Sequence, residues 1–366
     1  CTRSIAKSVL GDRLVFEEHH PGWAMTFRAT WAPSDAHGWI RSVEIVGHGG
    51  QAIECEVLDG LLDVMPGGLD AHTEQIRSNL ADAYKRTEAG PWGTLAVFSL
   101  ESLVSDQAEP AEALTATVVW SAGFDGASLD LDARALDHML AGQPCSPTDL
   151  LTGRPGAYLL RGPASLPANG SIAWTMVADT GLDHAGVLRA VATATAPDAI
   201  GDVAADVELG SQRLDGLLAG ADAFQSSGDR IADAHHLSNV LFNSMRGGVF
   251  PFGHQVPVAD LADFVADRNR PVADRHQAWF RVQGERCDVV ELRTSALATG
   301  DTDLIRLVLE YLPLTFSRRH GDPSRPWNRF SINVRDDAGA QLLSYEGNWR
   351  DIFQNWEALL QSYPAY

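Results

Sequence analysis

Two stretches near the C-terminus gather the residue types that grip sugars. The first is Glu346-Gly347-Asn348-Trp349-Arg350-Asp351-Ile352-Phe353-Gln354-Asn355-Trp356-Glu357-Ala358-Leu359. Trp349, Phe353 and Trp356 recur at i, i+4 and i+7, so a helix would align them in one aromatic stripe. Asn348 stands at an N-cap position, and Asp351 falls in the first turn, where a carboxylate suits the positive helix end. Arg350 and Asp351 would point about 100° apart around a helix, so both are free to reach a shared ligand. Flat rings suit the C–H faces of a sugar; a guanidinium and a carboxylate suit its hydroxyls. Spacing alone leaves open a second reading, a buried Trp-rich helix whose Asp is only a cap.

The second stretch is the loop Ser317-Arg318-Arg319-His320-Gly321-Asp322-Pro323-Ser324-Arg325-Pro326-Trp327-Asn328-Arg329. Loops near a site on a rigid scaffold collect substrate contacts, and Arg319, Asp322, Trp327 and Arg329 are the candidates here. Arginine forks also suit inorganic phosphate. The plainer reading is a solvated loop whose arginines balance neighbouring acids.

The spacing Arg350-Asp351-x-x-Gln354-Asn355-x-x-Ala358-Leu359 resembles the Arg-Asp-x-x-Gln-Asp-x-x-Ala motif of cellobiose-phosphorylase-like enzymes, glycoside hydrolase family 94 and relatives in the six-hairpin glycosidase superfamily. The resemblance implies an inner helix of an (α/α)6 barrel, with Arg350 and Asp351 holding the glycosyl unit beside the scissile bond and Gln354 in support. Trp349 would join them as a substrate contact. Asn355 replaces the family's second acid. Val57-Leu58-Asp59-Gly60-Leu61-Leu62-Asp63-Val64-Met65-Pro66 is similar to a strand end in the N-terminal sandwiches of the same group, with Asp59-Gly60 expected as a turn. The family's general acid lies well downstream of the motif, so no catalytic residue is assigned here. The roughly 140 residues after Ser226 hold only the first few of twelve barrel helices. The chain is therefore expected to be the front portion of a larger enzyme, or a cropped or rearranged product.

Elements that could position these residues follow from periodicity. Leu14–Phe16, Met25–Trp31, Ile40–Val46, Ala52–Leu58, Thr94–Leu100, Thr115–Trp120, Ala157–Arg161 and Ser171–Ala178 read as strands bounded by turn residues. In the fourth, apolar positions alternate with Glu54 and Glu56. Asp70 to Glu88 reads as a helical insertion. From Asp183 the texture is helical, with helices expected at Asp183–Ala194, Pro197–Phe224, Arg230–Met245, Val258–Asp267, Ala273–Phe280, Asp288–Ala298 and Thr302–Leu312. Gly300 reads as a C-cap, and the residues after it as a new helix start. The expected fold is α+β: an antiparallel β-sandwich over residues 1–180, helical linkers over 181–228, and the start of an incomplete (α/α)6 barrel over 229–366.

A net charge of −20 argues against nucleic-acid and anionic-membrane partners and favours neutral ones. Lys7 and Lys85 are the lysines; the remaining cations are arginines. Four scattered cysteines without metal spacing point to reduced thiols in a cytoplasmic compartment. No run of 18 apolar residues is present. The adjacent His235 and His236 cannot share one metal as an i, i+4 pair would, so they read as structural or exposed. No nucleophile elbow, dinucleotide fingerprint or phosphate loop occurs.

The sequence thus points to a carbohydrate-active enzyme resembling inverting glycoside phosphorylases and hydrolases, acting on a β-glucoside or other oligosaccharide. No metal or organic cofactor is implied, inorganic phosphate is left open as co-substrate, and a homo-oligomer is compatible. A non-catalytic glycan-binding or assembly module is the alternative.

Overall fold

The computed structural model describes residues 1–104, 111–144, 146–244, 249–250, 252–314 and 352–366, with side chains of the last segment described from Glu357 onward. The chain is α+β, with antiparallel sheets followed by helices. It divides into two compact units, Cys1–Gln212 and Arg213–Tyr366.

In the first unit the order is β1 (Thr2–Lys7), β2 (Leu14–His20), β3 (Met25–Ser34), β4 (Gly38–Gly47), β5 (Ile53–Val64), α1 (Ala71–Tyr84), β6 (Lys85–Ala89), β7 (Ala96–Leu100), β8 (Ala116–Ala122) and β9 (Ser128–Asp130). Then come α2 (Arg134–Leu140), β10 (Leu150–Thr152), β11 (Gly156–Leu166), β12 (Ser171–Leu182), α3 (His184–Ala194) and α4 (Ala199–Gly220), whose last turns belong to the second unit. Nine strands form one sheet in the order β1-β2-β3-β4-β12-β8-β7-β6-β10, and β5-β11-β9 form a smaller one.

Strand periodicity explains how the layers pack. Successive side chains point to opposite faces, so Val43 and Ile45 of β4 enter the core between the sheets while Ile40 faces the other way. The inner core also takes Trp174 and Met176 from β12 and Tyr158 and Leu160 from β11. On the outer face, Ile40, Val118, Trp120 and Val177 pack with Ala199 and Val203 of α4, and with Val187 and Val191 of α3.

Two expectations in this unit need correction. Asp59-Gly60 is not a turn: β5 runs through it to Val64, in register with Leu160 and Leu159 of β11. Asp59 points inward, where Arg41 and Trp174 bind its carboxylate. Gly60 is needed there because a Cβ would lie 1.9 Å from the Tyr158 carbonyl oxygen. The helix expected over Asp70–Glu88 stops at Tyr84, and Lys85–Ala89 is a strand between β7 and β10. Lys85 is 5% exposed, with its ammonium bound to Glu74 and Asp82, so sheet pairing and ion pairing overrule the helical pattern.

The second unit continues with α5 (Arg230–Ser244), β13 (Gln255–Pro257), α6 (Val258–Arg268), α7 (Arg270–Arg275), α8 (Gln277–Val282), β14 (Arg286–Asp288), α9 (Val289–Thr299), α10 (Thr302–Glu310) and α11 (Ile352–Ser362). The helix expected over Ala273–Phe280 is broken at His276, whose backbone leaves helical geometry (φ −107°, ψ 16°). Its ring is drawn to Asp301 instead, Nε2 to Oδ2 at 2.9 Å. The described helices include none long and apolar enough to cross a membrane.

Candidate functional site

The second sequence stretch and the start of the first, including Arg319, Asp322, Trp327, Arg329, Trp349, Arg350 and Asp351, lie outside the described residues. Gln354 sits on α11, with its side chain outside them too. What the structure supplies is the frame that holds this motif helix.

α11 packs against α5. On α5 the buried residues are His236, Val240 and Asn243, spaced i, i+4, i+7 along one face. On α11 and just beyond it the buried residues among the described side chains are Ala358, Leu359 and Tyr363. His236 is a core residue, its Nε2 2.9 Å from the Asp222 carbonyl oxygen, and His235 meets Asn239 on the exposed side. Neither ring lies in a metal-binding cluster among the described residues.

The far end of α11 is anchored by aromatic stacking and one arginine. Tyr366 stacks on Phe250 with ring centroids 4.0 Å apart and 11° between planes, and Tyr363 meets Phe250 edge-on at 4.8 Å. The Tyr366 hydroxyl donates to the Gly253 carbonyl at 3.1 Å. Arg293 of α9 donates from Nη1 to the Ala365 carbonyl at 2.6 Å and from Nη2 to the Tyr366 carbonyl at 2.8 Å. Burial pulls the Arg293 guanidinium below its usual pKa and raises the Tyr363 and Tyr366 hydroxyls. No periodicity or motif marks Arg293 in the sequence; only its distant partners reveal it.

The block that supplies these anchors has its own core. Val258, Leu261 and Val265 of α6 pack with Val272, Phe280, Leu292, Ala296, Leu304 and Leu307. The pairing of β13 with β14 closes the start of the block onto its middle. Asp288 caps α9 by accepting from Val290 N and Glu291 N, and Gly300 ends that helix with φ 69°. Asp301 caps α10 and also binds Arg275 and His276, contacts that hold its carboxyl well below the usual range. Tyr311 donates its hydroxyl to Asp260 at 2.5 Å, and burial followed by that carboxylate pushes the phenol far up.

In the first unit, a groove of about 380 Å³ between β12 and α3 is lined by His37, Trp120, Asp179 and Arg189. Burial raises the Asp179 carboxyl, opposed by the Thr180 N–H and by His37. These residues come from the β3–β4 turn, two strands (β8 and β12) and the helix α3, so no local pattern could have grouped them.

Residues 250–313 match the family described as Glycoside hydrolase family 149 insertion domain 1. The match supports kinship of this segment with glycoside hydrolases and does not point to family 94 in particular. No curated protein is matched. Among solved structures, a protein described as a kojibiose phosphorylase from the human microbiome shares 8% identity at a TM-score of 0.39, covering 68% of this chain and 31% of its own. A heparinase III shares 10% at 0.24, covering 45% and 19%. A galactose mutarotase related enzyme from Lactobacillus acidophilus shares 8% at 0.26, covering 50% and 73%. The chain therefore spans under a third of the first two neighbours. At such scores the overlaps are partial, and no argument rests on them.

Proposed function

We propose that this chain belongs to a carbohydrate-active enzyme that cleaves an oligosaccharide, with β-linked glucosides as the first substrates to try. The observation that carries the reading is positional. The segment that matches a glycoside hydrolase insertion domain ends at residue 313, and the sugar-type motif Arg350 to Leu359 follows it. In this reading the 250–313 block is set between α5 and α11, two helices that pack against each other as neighbours in an (α/α)6 barrel would. The sandwich of residues 1–180 and the linker of 181–228 precede a barrel that starts near 229.

Arg350 and Asp351 bind the glycone hydroxyls, with Gln354 and Trp349 beside them. Arg319, Asp322, Trp327 and Arg329 are proposed as further substrate contacts, and arginine is the side chain whose fork suits inorganic phosphate. A general acid protonates the glycosidic oxygen while phosphate or water attacks from the opposite face, which inverts the anomeric centre. No residue of this chain is assigned that acid role, and no metal or organic cofactor is invoked.

The test is Asp351→Asn in the full-length protein, with β-linked gluco-oligosaccharides of two to six units, with and without inorganic phosphate. Losing charge-assisted bonds of about 1.5–3 kcal/mol each lowers turnover or binding at least about tenfold. Asn caps a helix about as well as Asp. Unchanged turnover and sugar affinity would therefore reduce the motif to packing. Release of a sugar phosphate only when phosphate is present would identify phosphorolysis.

A further inference from the structure

We propose that the groove between β12 and α3 is a binding site for a monosaccharide that carries one anionic group, a sugar acid or a sugar phosphate. All of its lining residues belong to the first unit, so the proposal stands apart from the Arg350-Asp351 motif and goes beyond the function proposed above.

One face of α3 forms a wall: Gly186, Arg189, Ala190 and Thr193 fall at i, i+3, i+4 and i+7 and line the groove together. The floor is apolar, with Trp120 of β8 and Val177 of β12 side by side in register. Two residues along, on the same face as Val177, β12 presents Asp179 instead of another apolar side chain. The β3–β4 turn brings His37 within electrostatic reach of that carboxylate. The turn is fixed: Ser34 Oγ and Ala36 N both donate to Asp206 Oδ2 of α4, at 2.5 and 3.1 Å, and His37 N donates to Ser34 Oγ at 3.0 Å. Gly38, at φ 74°, lets it close on the strand end, since a Cβ there would lie 2.6 Å from the Ala178 carbonyl oxygen and 2.9 Å from Asp179 Oδ1.

The polar groups of the groove are largely uncommitted. Arg189 is exposed and has no ion-pair or hydrogen-bond partner for its guanidinium among the described residues, in a protein of net charge −20. Its planar fork matches a carboxylate or a phosphate. Asp179 accepts from the Thr180 N–H through Oδ1 at 2.9 Å, which leaves Oδ2 as an acceptor. Thr193 donates its hydroxyl to the Arg189 carbonyl at 3.1 Å and keeps its lone pairs for a donor from outside. Burial works against the Asp179 charge, and hydroxyls donated to it would offset that cost. A bare anion would meet the Asp179 carboxylate with nothing to donate. A purely apolar molecule would strip water from these groups and replace none of their bonds. An amino acid carries both its charges around one carbon, whereas Arg189 and Thr193 stand about 6 Å apart along α3 at 1.5 Å per residue. A sugar ring spreads donors and acceptors over several carbons, and its one anionic group answers Arg189. The volume of about 380 Å³ is of the size that holds a small molecule.

Equilibrium dialysis of the full-length protein against glucuronate, glucose 6-phosphate, glucose and inorganic phosphate tests the site. At least one of the two anionic sugars binds at least tenfold more tightly than glucose or phosphate alone. Arg189→Met breaks no bond within the folded chain, so it keeps the wild-type melting temperature while weakening the anionic sugar at least tenfold. Thr193→Glu sets a carboxylate four residues from Arg189 on the same helix face and weakens it likewise. Asp179→Asn weakens the sugar and strengthens bare phosphate, because the acceptor charge and the repulsion vanish together. Arg86→Met, which removes an arginine of β6 instead, stays within twofold of wild type. No binding of either anionic sugar at up to about 10 mM, a concentration at which even weak sites fill, overturns the proposal. Binding that Arg189→Met and Thr193→Glu both leave within twofold overturns it too, and so does equal affinity for inorganic phosphate and the anionic sugars. Binding that Asp351→Asn abolishes and Arg189→Met spares belongs to the C-terminal motif; it overturns the groove and leaves the function proposed above standing.

Discussion

Arg41 and Asp59 form a two-pronged ion pair inside the sandwich, Nη1 to Oδ2 at 2.6 Å and Nη2 to Oδ1 at 2.8 Å, with both side chains only about a tenth exposed. The Trp174 indole N–H adds a third bond to Oδ2 at 2.7 Å. The pair joins β4 of the large sheet to β5 of the small one, so it ties the two layers together. Charges this buried are retained only when well paired, and breaking such a pair costs more than making it gains.

Asp59→Ala therefore leaves a guanidinium and an indole N–H unpaired in the core and destabilises the protein by about 3–5 kcal/mol. Replacing both charges together, as Arg41→Met with Asp59→Leu, recovers most of that loss. Urea unfolding followed by tryptophan fluorescence measures both. A single-variant loss under about 1 kcal/mol would match an exposed pair and contradict the burial.

Gly60→Ala tests the close approach of β5 and β11. The added Cβ would sit 1.9 Å from the Tyr158 carbonyl oxygen and 2.9 Å from the Leu159 Cα, both backbone atoms of the partner strand. The strands must separate, and a loss of at least about 2 kcal/mol is expected, at the upper part of the overpacking range. Faster amide exchange along β11 should accompany it. A neutral substitution would show that a turn, not a continuous strand, occupies this position.

Asp301 sets an acid limit on the helical block. Its folded pKa lies below its unfolded value, chiefly through hydrogen bonds from His276 and Arg275. The stabilisation is therefore fully present above the unfolded carboxylate range, near pH 4, and is lost as pH falls toward the folded value. Asp301→Asn keeps the cap but not the charge, so it melts below wild type at pH 7, and the gap narrows between about pH 5 and pH 2. Thermal melts across that range check the sign. A gap constant with pH would mean that Asp301 acts through the helix cap alone.

Much of the framework was legible in sequence because it is decided within a few residues. The alternation through Ile53, Glu54, Cys55 and Glu56 predicts which side of β5 is wet, and the structure has both glutamates exposed. The helix punctuation at Gly300 and Asp301 is likewise local: a left-handed C-cap, then a carboxylate that accepts from the next turn. The order of a sandwich followed by helices, and the chemistry of the Arg350-Asp351 motif as a hypothesis, were written in residue types and spacing alone. Tertiary structure decided the rest, wherever a distant partner outbid local preference. Asp59-Gly60 stays extended because Tyr158, Leu159 and Arg41 meet it; the pattern through Ala273–Phe280 breaks because Asp301 takes the His276 ring. Arg293 of α9 meets the carbonyls of Ala365 and Tyr366, 72 and 73 positions away, a separation over which only the folded chain brings donor and acceptor together.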